Sequence, residues 1–124
     1  MWLRGLLSKV RAIGIKGKLF NWLFDYLSDR RQRVVLDGVK SNWASVKAGV
    51  PQGSVLGPLL FLVYINDLTD NIVSNIRLFA DDTMIFQEVN NVQETARILN
   101  NDLQTINTWS KKWIVNFSVE KLSL

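Results

Sequence analysis

The sequence predicts an α+β chain, and three observations carry that expectation. Apolar residues recur at three- and four-residue steps in four segments, the spacing of one helical face. Two other segments read as paired strands around short polar turns, Asp37-Gly38 and Asp81-Asp82. The resulting order is helices, hairpin, helix, hairpin, helix and a closing strand, which suits helices packed on small antiparallel sheets.

Each element follows from local chemistry. Over 6–13, apolar side chains stand at Leu6, Leu7, Val10 and Ile13, and Gly14 ends the helix. A second helix is expected over 17–28, burying Leu19, Phe20, Leu23, Phe24 and Leu27. Arg30, Arg31 and Arg33 follow its end, where cations complement the helix dipole and would equally suit phosphates. Residues 32–36 read as a strand. Asp37-Gly38 is a two-residue hairpin turn, and the returning strand extends into 43–47. Glycines and a proline break the pattern over 49–53. Ser54 then caps a helix to about residue 66, with Pro58 in its first turn, where an amide has no intrahelical partner to lose. Strands are expected over 75–80 and 83–88. The last helix carries Val92, Ala96, Leu99, Leu103, Ile106 and Trp113 on its apolar face, opened by Asn91 and Glu94 as a capping box, and a short strand follows over 114–117.

Composition narrows the chemistry. With 48% hydrophobic and 21% charged residues, the 124-residue chain can build a core and fits one domain or part of one. No apolar run reaches the roughly 20 residues of a membrane helix. Cysteine and histidine are both absent, which removes disulfides, zinc sites, thiol nucleophiles and imidazole bases. Any catalysis must rest on carboxylates, lysines, hydroxyls and bound metal. Charge is unevenly spread: residues 1–50 hold ten basic against three acidic residues, and 51–124 hold five against eight. The first part suits a polyanion and the second holds the acids a divalent cation would need.

Two segments concentrate functional residue types. The adjacent carboxylates of Phe79-Ala80-Asp81-Asp82 repel one another among apolar neighbours, an arrangement that a hard, oxygen-seeking cation would neutralise. Taken alone, an Asp-Asp pair reads more simply as an ordinary polar turn. In Gly49-Val50-Pro51-Gln52-Gly53-Ser54-Val55-Leu56-Gly57-Pro58-Leu59-Leu60-Phe61, glycines beside a helix start admit a nucleotide or template strand, and Gln52 can reach a base or sugar edge. Taken alone, that run reads more simply as a loop feeding a capped core helix.

Together, in this order, with Tyr64-Ile65-Asn66-Asp67-Leu68 and Leu78-Phe79-Ala80-Asp81-Asp82-Thr83, they resemble motifs B and C of the reverse transcriptases of non-LTR (LINE, jockey-like) retrotransposons. The flanks share the resemblance: 6–15, Gln32-Arg33-Val34-Val35-Leu36-Asp37-Gly38 and 109–113 have family counterparts. The resemblance implies a right-hand polymerase palm copying RNA into DNA with two Mg2+ ions, an RNA template, a DNA primer and deoxynucleoside triphosphates, acting in the nucleus when intact. It implies Asp81 as a principal metal ligand with Asp82 beside it. Pro51, Gln52, Gly53, Ser54, Phe79 and Ala80 would line the nucleotide and template site, and Arg30, Arg31 and Arg33 would meet the nucleic-acid backbone. Lys121 stands where motif D of the family has a lysine proposed to protonate pyrophosphate, although its neighbours depart from the usual pattern and a solvated surface lysine is the plainer reading.

The family's motif A, with its own aspartate, commonly reads Phe-Asp-Arg-Val-Trp-His before the helix matching 6–13. Here Trp2 falls on that tryptophan and Leu3 replaces the histidine, so the register puts that aspartate about two residues upstream of Met1. Residues 1–124 are therefore expected to form a partial palm without motif A, fingers, thumb or endonuclease, with one sheet edge unpaired and prone to aggregation. Such a chain is expected to be inactive alone, because positioning metal is most of what such an enzyme contributes. A working enzyme with more sequence upstream, and a non-catalytic nucleic-acid-binding remnant that keeps the basic first part, are the competing expectations. A viral RNA-directed RNA polymerase is disfavoured by the motif B run.

Overall fold

The computed structural model describes residues 1–118, so Lys121 lies outside the described residues. It is a mixture of helices and two-stranded antiparallel sheets, in two compact units: Met1–Tyr64 and Ile65–Leu124.

In the first unit, helix α1 (Leu3–Ala12) buries Leu6, Leu7 and Val10 as its periodicity predicts, whereas Ile13, just past its end, is exposed. Gly14 then takes a φ of +99°, which ends the helix at little steric cost. Helix α2 (Gly17–Leu27) buries a narrower stripe than expected. Leu23 and Leu27, one turn apart, are buried, but Leu19 and Phe24 are exposed. Phe20 is half-buried beneath the Arg11 guanidinium, which lies 4.4 Å from its ring centre.

A hairpin follows in two pieces rather than as continuous strands. Strand β1 (Arg31–Gln32) pairs with β4 (Ala44–Ser45), and β2 (Val35–Leu36) pairs with β3 (Val39–Lys40). The turn falls at Asp37-Gly38 as expected, with φ of +49° and +79°, the two positive values that a two-residue hairpin turn of this hand demands. Helix α3 (Leu56–Ile65) is apolar all round. Its Leu60 and Tyr64 are buried while Leu59 and Leu62 are exposed. Tyr64 is central to this unit. Its hydroxyl accepts the Trp2 amide at 3.3 Å, and its carbonyl, at the end of α3, accepts the buried Lys9 ammonium. A cation there meets the negative end of the α3 dipole.

In the second unit a 3₁₀ turn (Asn66–Thr69) leads to strands β5 (Asn75–Phe79) and β6 (Asp82–Phe86), then to the long helix α4 (Val92–Trp113). The Asn91 side chain accepts the Glu94 amide at 3.1 Å, forming one half of the expected capping box. The Glu94 carboxylate does not complete the box; it pairs with Arg97 at 2.6 Å.

Two sequence expectations are corrected here. The buried stripe of α4 is rotated: Thr95, Asp102, Ile106 and Ser110 are buried, whereas Val92, Ala96 and Leu103 are exposed. The reason is polar. Asp102, at 2% exposure, accepts the backbone amides of Val73 and Ser74 at 3.0 and 2.8 Å, and Trp109 donates its indole N–H to Asp67 at 2.9 Å. These bonds fix which face turns inward. The expected strand over 114–117 is also not formed. Ile114 caps α4 in the left-handed conformation, and the Val115 amide folds back to the Ser110 carbonyl at 2.9 Å instead of entering a ladder.

Each sheet among the described residues has two strands, so both edges of every hairpin are open. Open, partly apolar edges are templates for edge-to-edge association.

Candidate active site

The β5–β6 hairpin carries the paired aspartates. Its register is set by Leu78↔Thr83 and Phe79↔Asp82, so the two-residue turn is Ala80-Asp81. The sequence placed the turn one residue later, at Asp81-Asp82. Asp82 is the first residue of β6, and β5 ends at Phe79 rather than Ala80. Ala80 has a φ of +50°, a conformation that costs a side chain about 1–2 kcal/mol relative to glycine.

Alternation along the strands then sorts the side chains. Ile76, Leu78, Thr83 and Ile85 form the half-buried face, and Phe79, Asp82, Arg77, Met84 and Phe86 form the exposed one. Asp81 projects from the tip, and Asp82 stands on the open face beside it. Arg77, diagonal to Asp82 across the ladder, lies on the same face with its guanidinium 5.4 Å from the Phe86 ring centre. Sequence reasoning passed over Arg77, although counting in twos from Phe79 reaches it.

The donor type fits a hard divalent cation, since both groups are carboxylates and both are exposed. The donor number is partial: among the described residues no three carboxylates gather around one point. Asp81 and Asp82 can therefore hold part of a coordination sphere, with other ligands supplied by water, phosphate oxygens or a further carboxylate.

The glycine-rich loop belongs to the first unit. Gly49 (φ +85°) donates its amide to the Met1 carbonyl at 3.0 Å, and its carbonyl accepts Arg30 at 2.6 Å. Gln52 and Gly53 form an exposed turn, with Gly53 at φ +74°. The Ser54 hydroxyl donates to the Pro51 carbonyl at 2.7 Å and accepts the Gly57 amide at 3.0 Å. It thus meets the head of α3 as a capping residue should, while closing the loop on itself. Pro58 is the third residue of that helix, in the first turn as expected.

Gly57 entered the sequence reading only as one member of the glycine-rich run. A Cβ on this buried glycine would lie 3.0 Å from the Pro51 carbonyl oxygen and 3.2 Å from the Ser54 hydroxyl. The loop can fold back over the helix head only because that side chain is missing. Gly57→Ala is expected to cost about 1–3 kcal/mol, by forcing the Pro51–Ser54 backbone outward, and a drop in thermal midpoint checks it. A glycine three residues after a capping serine is the local signal.

The three arginines part company. Arg30 is half-buried, and its guanidinium donates to the carbonyls of Leu27 and Gly49. It braces the entry to the glycine-rich loop. Arg31 and Arg33 are exposed.

Comparison with known proteins identifies the family of the chain. Residues 1–124 match the model of the family described as reverse transcriptase (RNA-dependent DNA polymerase), and the chain belongs to that family. Within it, the similarity runs to enzymes of non-LTR mobile elements. The chain is 36% identical to a probable RNA-directed DNA polymerase from transposon BS of Drosophila melanogaster and 32% identical to the RNA-directed DNA polymerase from mobile element jockey of the same fly. Each of these alignments covers 98% of this chain and 14% of the relative, so the chain spans a small part of their length. A retrovirus-related Pol polyprotein from a type-1 retrotransposable element R1 of Nasonia vitripennis is 33% identical over 59% of the chain and 18% of that protein. No solved structure is matched. Enzymes of this family use divalent metal.

Proposed function

We propose that residues 1–124 are the motif B and motif C portion of the palm of an RNA-directed DNA polymerase from a non-LTR retrotransposon. The observation that carries the proposal is the β5–β6 hairpin, which puts Asp81 at a strained two-residue turn and Asp82 on the open strand face next to it.

In this reading Asp81 and Asp82 would help to hold the Mg2+ ions, which when bound would supply neutralisation of the triphosphate charge and alignment of the reacting oxygens. A hairpin suits that task because the ladder holds the Asp82 backbone, and with it the adjoining Ala80-Asp81 turn, in register before substrate arrives. Phe79 and Ala80 would line the nucleotide and template site beside the aspartates. By the family resemblance, Pro51, Gln52, Gly53 and Ser54 would contact the deoxynucleoside triphosphate and the RNA template, and Gln52 is exposed. The primer is DNA. Lys121 keeps the proton-donor role that the family's motif D suggests.

The decisive experiment transplants the segment. A jockey-type enzyme whose matching stretch is replaced by these 124 residues is expected to extend a DNA primer on an RNA template in Mg2+. An inactive but folded chimera would overturn the proposal. The 124-residue polypeptide alone is expected to give no extension, because the described carboxylates do not complete a metal site. Asp81-dependent synthesis by it would show that the two aspartates suffice.

A further inference from the structure

We propose that the 31–45 hairpin binds a single-stranded polynucleotide through one face, formed by Arg31, Arg33, Lys40 and Trp43. This deepens the reading of Arg31 and Arg33 as backbone contacts and rests on it, but it does not depend on Asp81 or Asp82.

The face is defined by register. Arg31 pairs with Ser45 and Gln32 with Ala44, whereas Val35 pairs with Lys40 and Leu36 with Val39. Between these pieces, residues 33–34 oppose 41–43, one extra residue and hence a bulge. Val34 and Ser41 hold the ladder across it, the Ser41 amide meeting the Val34 carbonyl and the Val34 amide meeting the Ser41 hydroxyl, each at 2.9 Å. Counting in twos from Arg31 reaches Arg33 and Val35. Arg33 lies over Trp43, guanidinium to ring centre 4.5 Å, and Val35 sits opposite Lys40. One face therefore carries three cations and an indole. The other carries Gln32, Val34, Leu36 and Val39.

Every residue from 31 to 45 is exposed, and Trp43 retains 58% of its surface. An exposed tryptophan already stacked with a guanidinium is a flat platform of the kind on which bases stack. Cations two residues apart along a strand, about 6.6 Å, follow a phosphate chain. Charge selects the occupant: residues 30–47 contain five Lys+Arg and a single acid, Asp37 at the turn. The bulge also opens a recess of about 250 Å³, but Gln32, Val34 and Ala44 line it from the other face, so it is no part of the platform. Duplex nucleic acid offers no unstacked base to such a platform.

The test is fluorescence anisotropy of the chain against labelled uridine RNA and thymidine DNA of about 12 nucleotides, and against duplex RNA, in chelator so that no metal site contributes. Single strands are expected to bind in preference to duplex. Trp43→Ala and Arg33→Ala should each weaken binding about tenfold, and Trp43→Phe should restore most of the loss. Arg31→Ala and Lys40→Ala should each reduce the slope of log affinity against log salt by about 0.7. Equal binding of RNA and DNA supports a backbone-and-stacking contact, and a preference for RNA supports the same face with the template as its ligand. Duplex bound as tightly as single strands would overturn the proposal. So would hairpin variants, folded by circular dichroism, that leave affinity unchanged. If sedimentation shows instead that these substitutions dissolve a dimer without altering RNA affinity, the face belongs to a second copy of the chain and the proposal fails. Primer extension by the chimera reads neither result, so the two proposals fail separately.

Discussion

Replacing Asp102 by alanine is expected to remove about 3 kcal/mol of stability, read as a shift of the denaturant midpoint at neutral pH. The carboxylate is 2% exposed and accepts two backbone amides, from Val73 and Ser74. Truncation leaves both amides without that partner: the buried Ser74 amide costs about 1–3 kcal/mol as an orphan, and the part-buried Val73 amide costs less because water can reach it. Asp102→Asn should lose less, since its single carbonyl oxygen can still serve one amide.

The same site predicts a pH dependence. Burial by itself would raise the Asp102 carboxyl, but hydrogen bonds from Ser74 and Val73 outweigh it and hold the group below its ordinary value of 3.8. A depressed folded value means the stabilisation is fully present above 3.8, where even the unfolded chain is ionised. It declines as pH falls through the lower folded value. Acid titration of the wild-type chain should therefore show a stability loss below 3.8 that Asp102→Asn lacks; parallel curves would refute the assignment. The consequence reaches the candidate active site, because Val73 and Ser74 immediately precede β5, the strand that leads to Asp81.

Asp81→Asn in the active chimera is expected to reduce primer extension at least about a thousandfold, roughly 4 kcal/mol in the barrier. The substitution keeps an oxygen in place and removes the charge that attracts a divalent cation, so binding of RNA and folding should be retained while catalysis is lost. Asp81→Glu separates charge from position. It restores the carboxylate on a side chain longer by one methylene, and misplacement by about 1 Å costs about a hundredfold. Asp82→Asn is expected to fall between these, about a hundredfold, because Asp82 stands on the strand face rather than at the tip. Single-nucleotide incorporation under saturating primer-template checks all three. Wild-type rates for Asp81→Asn would remove the hairpin from the chemistry.

Some of this protein was legible in the sequence because the signals are local. Helical spacing located α1, α2 and α4 within a few residues. Asp37-Gly38 named its own turn, since few residue pairs accept positive φ twice in succession. The two motif runs identified the family because their order and spacing are specific even where each part alone is an ordinary loop. Periodicity also failed in a consistent way. It assigned the α4 face by hydrophobicity and so put Leu103 inside and Asp102 outside, the reverse of what is found. A buried carboxylate is invisible to a hydrophobic count, because its burial is licensed by amides 28 and 29 residues away.

The sequence by itself thus determined the family and most of the element types, both of which depend on side-chain chemistry and short-range spacing. Tertiary structure decided the rest. It set the hairpin register that puts Asp81 at the turn and Asp82 in the ladder, turned Arg30 toward the Gly49 carbonyl while leaving Arg31 and Arg33 exposed, and required Gly57 to be bare beneath Pro51. These outcomes depend on which distant backbone groups need partners and where two segments approach within van der Waals range. Neither is written in the spacing of residues along the chain.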